Sequence, residues 1–178
     1  MTQKTTQAAP NPMQRPFLEK VVVNVCTGQS GEPLQKAMNV LQQITGQKAC
    51  QRKAKVSVRD WGVRKGEPIA CIVSLRGETA QAFLRRALDA KGNRLQKSSF
   101  GIDGNFSFGI REHIQLPGVK YDPAVGIFGM DVCATMEKGG YRVKKRRYLR
   151  SRVGRAQLLT PEESMDYMKE SFGIEITD

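Results

Sequence analysis

KVVVNVC, residues 20–26, alternates Val21, Val23 and Val25 against Val22, Asn24 and Cys26. β-Branched side chains at a period of two specify a strand covered on at least one face. Downstream, Ser30, Gly31, Glu32 and Pro33 offer a side-chain cap, an acid for the positive end and a first-turn proline, so a helix begins there. Leu34, Ala37, Met38, Leu41 and Ile44 recur at helical spacing until Gly46. QKACQRKAKVSVRD (47–60) reads as a second strand whose basic residues must face water or a ligand, and WGVRKGEP (61–68) as a loop. IACIVSL (69–75) gives a third strand, and TAQAFLRRALDAK (79–91) a second helix ending at Gly92. An Asp103-Gly104 turn introduces a fourth strand carrying Phe106, Phe108 and Ile110, and VGIFGMDVCATM (125–136) a fifth. Thr160-Pro161-Glu162-Glu163 is a capping box opening a short acidic helix, after which FGIEI (172–176) is expected to return to the sheet edge. Upstream, the polar MTQKTTQAAPNPMQRP (1–16) reads as a mobile tail before a single domain over 17–178.

The order β-α-β-β-α-β implies an α+β two-layer sandwich: a largely antiparallel sheet with helices on one face, plus a basic loop extension. The other face is then free to bind. At 178 residues and 39% hydrophobic the chain supports one sizeable core. Cys26, Cys50, Cys71 and Cys133 form no CxxC pair, and three lie in apolar runs, so they read as buried, reduced thiols of an intracellular protein. No run approaches the ~18 apolar residues of a membrane span, and no secretory h-region is evident.

Catalytic chemistry finds little support. His113 is the sole histidine, and a Glu112-His113 pair on a strand would point to opposite faces. Gly28 and Gly31 follow a strand and open a helix, but neither a full dinucleotide fingerprint nor a Walker-type loop is present. No cofactor or metal is implied.

Charge is more informative. The chain carries 29 basic and 17 acidic residues, net +12. KGGYRVKKRRYLRSRVGR (138–155) holds nine cations and no acid, and removing it leaves +3; residues 156–178 then carry six acids against Lys169 alone. Such zoning points to a polyanion or an acidic protein face. The density of like charge predicts an extended, mobile segment ordered only by a partner, since an unpaired buried cation costs several kcal/mol. The second zone, residues 47–66, sets Lys48, Arg52, Lys53, Lys55, Arg59, Arg64 and Lys65 beside Trp61. Cations with a stacking residue suit RNA, although a solvated edge strand guarded by charge has the same composition.

Three runs, EKVVVNVCTGQSG, TGQKACQRKAKVSVRDWGVRKGEPIACIVSLRG and FGIDGNFSFGIREHIQLPGVKYD, resemble the universal large-subunit ribosomal protein five family, in its archaeal form, from about Phe17 onward. The resemblance implies a cytoplasmic, non-enzymatic protein of the central protuberance that attaches 5S rRNA to the large subunit and touches 23S rRNA and neighbouring 5S-associated ribosomal proteins. It implies rRNA contacts at Asn24, Gln47, Lys48, Arg52, Lys53 and Lys55, and a loop approaching P-site tRNA at Trp61, Val63, Arg64 and Lys65. It places Arg111, Glu112 and His113 in a bridge to small-subunit ribosomal protein thirteen. Arg142, Lys144, Lys145, Arg146, Arg147, Arg150 and Arg152 belong to a basic arm that bacterial members lack, expected to reach rRNA or tRNA. The other readings of the residues are an RNA-binding assembly factor or chaperone, and an RNA-modifying enzyme.

Overall fold

The computed structural model describes residues 11–119, 121, 123 and 126–177. Five antiparallel strands form the main sheet: β1 (Phe17–Cys26), β2 (Cys50–Lys53), β3 (Pro68–Leu75), β5 (Phe106–Ile110) and β6 (Met130–Glu137), in the order β2-β3-β1-β6-β5. Between them in sequence lie α1 (Glu32–Thr45), α2 (Gly77–Ala90) and the short β4 (Arg94–Gln96); α3 (Arg142–Lys145), α4 (Pro161–Phe172) and β7 (Glu175–Thr177) follow. The expected α+β architecture is the one observed.

The period-two reading of β1 carries through. Val21, Val23 and Val25 are buried, and the register sets Val23 beside Val73 of β3 and Val132 of β6. Leu34, Leu41 and Ile44 of α1 and Phe83, Leu84 and Leu88 of α2 close over this surface in one core. The core extends to Met165 and Met168 of α4, and α4 adjoins α2 where Arg85 lies 5.9 Å from the Phe172 ring. Burying a leucine or phenylalanine contributes about 1.5–3 kcal/mol, so this helix layer dominates stability. The opposite sheet face has no helix over it among the described residues.

Several local expectations give way to tertiary demands. Ser30 is not the α1 cap: Gly31 takes the N-cap position without a side-chain bond, and the Ser30 hydroxyl donates to Glu67 Oε1 at 2.6 Å. The second strand is only four residues long, because the chain bends into a separate loop at Ala54. The C-terminal strand does not reach the main sheet. β7 pairs in parallel with β4, a strand the apolar pattern did not announce, through Leu95 beside Ile176. Glu112 and His113 are not on a strand; Glu112 caps a 3-10 turn over His113–Gln115.

The expected tail at 1–16 is ordered from Asn11, while residues 1–10 lie outside the described set. Pro12–Gln14 forms a 3-10 turn, and the Met13 carbonyl accepts hydrogen bonds from Gly139 N and Gln157 Nε2. The buried-thiol reading holds for Cys71 alone; Cys26, Cys50 and Cys133 are exposed because each points to the uncovered face. No described helix is long and apolar enough to cross a membrane.

Candidate RNA interface

Strand pairing determines what the uncovered face presents. One row runs Cys50, Ile72, Asn24, Asp131, Gly109 across all five strands, and the next Ser74, Val22, Cys133, Ser107. Arg52 stands beside Ala70 and Cys26 in a third row. These side chains are mostly short and neutral, so a polynucleotide could approach the backbone closely, with cations gathered at the margin. At one end Asn24, Cys26, Lys91, Arg111 and Asp131 line an open cleft of about 540 Å³. Partial desolvation of its sulfur against the sheet, and then the Asp131 charge, pushes the thiol of the exposed Cys133 up, so it stays uncharged at neutral pH.

Gln47 and Lys48 are exposed in the connection from α1 to β2, and Lys53 and Lys55 are exposed just beyond Arg52. Arg52 shares the uncovered face with Asn24, one row away, while the other four lie in or beside the edge strand β2. Lys91 was missed by sequence reasoning because it closes α2, far away in the chain.

The loop at residues 54–67 is held by its own bonds. Val58 and Val63 exchange backbone hydrogen bonds, Ala54 N donates to Glu67 O, and Lys65 N donates to Ser57 Oγ at 2.8 Å. The Ser30 hydroxyl and the Arg64 amide, in that order, hold the Glu67 carboxyl below its usual range. Trp61 is 79% exposed at the tip, with Arg64 and Lys65 also exposed. Val63 is buried, so of the four residues expected to face tRNA it is the one that holds the loop together. His113 is corrected likewise: at 3% exposure it offers no surface, and its Nδ1 accepts from Phe128 N at 3.2 Å. Arg111 and Glu112 remain exposed.

The basic segment departs furthest from expectation. Lys138 is buried and places its ammonium 2.7 Å from Glu163, the acid of the α4 capping box. Lys145 reaches Glu137 at 2.7 Å and Glu19 at 2.9 Å, and Arg76 also meets Glu19 at 2.7 Å. Burial would raise the Glu19 carboxyl; the Lys145 hydrogen bond and the charges of Lys145, Lys20 and Arg76 outweigh it and hold the carboxyl low. Desolvation of Lys145 is outweighed by the carboxylates of Glu137 and Glu19, which raise it. Tyr141 is buried, donating to Gln157 O at 3.3 Å and accepting from Leu159 N at 3.0 Å. A mobile arm ordered only by its partner is therefore not what the chain builds: acids outside the segment pair two of its cations.

Register also fixes where the zones lie. Phe17 pairs Glu137 at one end of β1, while Cys26 pairs Ala70 at the other. The basic segment follows Glu137, and the loop at residues 54–67 precedes Pro68. At about 3.3 Å per residue the two cationic zones stand roughly 30 Å apart.

Comparison with known proteins settles the family. Residues 11–64 match the family described as ribosomal protein L5, and residues 68–167 match the model of that ribosomal family's C-terminus. The chain belongs to the ribosomal L5 family. Relatives named large ribosomal subunit protein uL5 include that of Pyrobaculum aerophilum, 53% identical over 93% of both chains. Another, from Aeropyrum pernix, is 54% identical over 92% of this chain and 86% of its own. A third, from Nitrosopumilus maritimus, is 44% identical over 96% and 99%. The matched ranges span the sheet, most of the loop before Pro68 and the basic segment.

Proposed function

We propose that this large-subunit ribosomal protein binds 5S rRNA on the uncovered face of its sheet and helps attach it, alongside 23S rRNA and neighbouring 5S-associated proteins, to the subunit. The observation that carries this reading is the face itself: short neutral side chains around Asn24, with Arg52 on the same face and Gln47, Lys48, Lys53 and Lys55 exposed in or beside the edge strand β2. Cations hold phosphates while exposed backbone and small polar groups meet the bases. The loop ahead of β3 presents Trp61, Arg64 and Lys65 toward P-site tRNA. Arg111 and Glu112 supply the bridge contact with small-subunit protein thirteen. The loop and Arg111 lie at the same end of the sheet, which supports giving them to the same subunit interface. The basic segment, at the opposite end, contacts rRNA rather than that tRNA.

Binding of 5S rRNA measured across a salt titration tests the reading. Lys53→Ala with Lys55→Ala should weaken binding and flatten the log–log salt slope by about 1.4–1.8, at 0.7–0.9 for each phosphate no longer neutralised. Trp61→Ala should leave both unchanged. An unaltered slope in the double variant would remove those lysines from the interface. A transient assembly factor would leave ribosomal particles in high-salt sedimentation, whereas a subunit constituent stays stoichiometric with them.

A further inference from the structure

The nine cations between Lys138 and Arg155 divide into two groups. Lys138 and Lys145 are engaged by Glu163, Glu19 and Glu137. The other seven have no carboxylate partner among the described residues. Their backbone is nevertheless fixed. Ser151 N donates to Val143 O at 3.2 Å, folding the segment back on itself, and Arg146 Nε donates to Leu149 O at 2.8 Å. Leu149 is held at φ 49°, a left-handed conformation that a leucine adopts only under constraint.

This fold-back creates a cleft of about 480 Å³ lined by Lys144, Arg150, Ser151, Arg152, Val153 and Leu158. Its chemistry is mixed in a specific way: three cations and a hydroxyl on a wall that also offers two aliphatic side chains, with no acid in the lining. Leu158 is 39% exposed there although its neighbour Leu159 is in the core. A purely electrostatic patch needs no aliphatic wall. A duplex is too broad to enter a concavity of this size, while a few hundred Å³ is the scale of small-ligand pockets.

We propose that the cleft seats one unpaired RNA nucleotide, its phosphate on Lys144, Arg150 and Arg152 and its base against Val153 and Leu158. The choice of RNA rests on the ribosomal reading above; the cleft does not depend on the 5S assignment. The anchoring of Lys145 and Tyr141 preorders the seat, which lowers the entropic cost of capture.

The test uses the full chain with a uniform single-stranded RNA oligomer carrying 4-thiouridine, the matching duplex, and a poly-glutamate peptide of equal length. Fluorescence anisotropy and mapped photocrosslinks are the readouts. Arg150→Ala with Arg152→Ala should reduce single-strand affinity about tenfold at 0.1 M salt and lower the salt slope by about 1.4. Leu158→Ala should weaken binding a few-fold with the slope unchanged, and crosslinks should fall on residues 150–158. Crosslinks confined to residues 47–66, equal losses for duplex and single strand, or peptide binding as tight as RNA would each overturn the proposal. All three substituted side chains are at the surface, and a thermal melt verifies that each variant folds. Binding of 5S rRNA measured in parallel separates the two readings: its loss in Lys53→Ala/Lys55→Ala with the oligomer retained leaves both standing. If wild-type protein ignores 5S rRNA yet captures the oligomer through Arg150 and Arg152, only the 5S reading falls.

Discussion

Lys145→Met should destabilise the protein through two acids more than a hundred residues apart in sequence. The ammonium lies between Glu19 and Glu137, whose side chains retain only 8% and 11% exposure. Removing one partner of a fully buried ion pair costs about 3–5 kcal/mol, because the other charge is left uncompensated. Two features reduce that figure here. Glu19 keeps Arg76 at 2.7 Å, and Lys145 itself is 47% exposed, so water reaches the site. Glu137 has no other cationic partner among the described residues, and its stranding dominates. The expected loss is about 2 kcal/mol, which for a chain of this size lowers Tm by roughly 4–8 °C. Urea denaturation of Lys145→Met, Glu137→Gln and the double variant measures it, with the double losing about 1 kcal/mol less than the sum of the singles. A loss under about 0.3 kcal/mol, or strict additivity, would refute the anchor. The pH dependence has a definite sign. Glu19 and Glu163 are depressed, so their contribution is complete above the ordinary carboxylate value of 4.5 and lost as pH falls through their lower folded values. Lys145 is raised, so its contribution is complete below 10.5 and lost as pH climbs through its higher folded value. The anchor therefore holds across neutral pH and fails at both extremes.

Three further outcomes test other parts of the structure. Thiol labelling of the free protein should modify Cys26, Cys50 and Cys133 but spare Cys71, which is buried and pushed up to about 11; bound 5S rRNA should protect the first three, and unchanged labelling would place the RNA elsewhere. Gly104→Ala should cost about 2–3 kcal/mol in denaturant, since φ is 71° and a Cβ would stand 2.8 Å from the Leu159 side chain and 3.1 Å from the Thr160 carbonyl. Ser30→Ala should speed amide exchange at Val58 and Val63 while leaving the global unfolding midpoint unmoved, because the lost bond to Glu67 secures only the loop.

Local rules succeeded wherever a segment's fate is decided by its own pattern. The valines of β1, the helical spacing of α1 and α2, and the box from Thr160 to Glu163 all formed as written, the last with both reciprocal hydrogen bonds. They failed where a residue had two uses and a distant partner selected one. Ser30 had the chemistry of a cap and was taken by Glu67. Val63 and His113 sit within motifs that the family resemblance marks as contact regions, yet each is buried to hold its own turn. The cysteines alternate like core residues because a strand's two faces read alike when neither is strongly polar; only the helix layer decides which face is covered.

The basic segment shows the same limit in charge. Its nine cations look equivalent in sequence, but Lys138 and Lys145 hold the fold while the remainder have no acid to meet among the described residues. Sequence spacing does not distinguish them, since their acids lie at positions 19, 137 and 163, and a register shift between Leu18 and Lys20 accompanies the Glu19 contact. The consequence reaches function. A segment without internal partners would have to pay the full cost of ordering on each encounter with RNA, whereas this one is fixed beforehand at two points. Its position about 30 Å from the loop that carries Trp61 then makes the sheet a rigid spacer between the two RNA contacts proposed above. Weakening the Lys145 anchor should loosen the contact at one end and leave Trp61, at the other, as exposed and as well held as before.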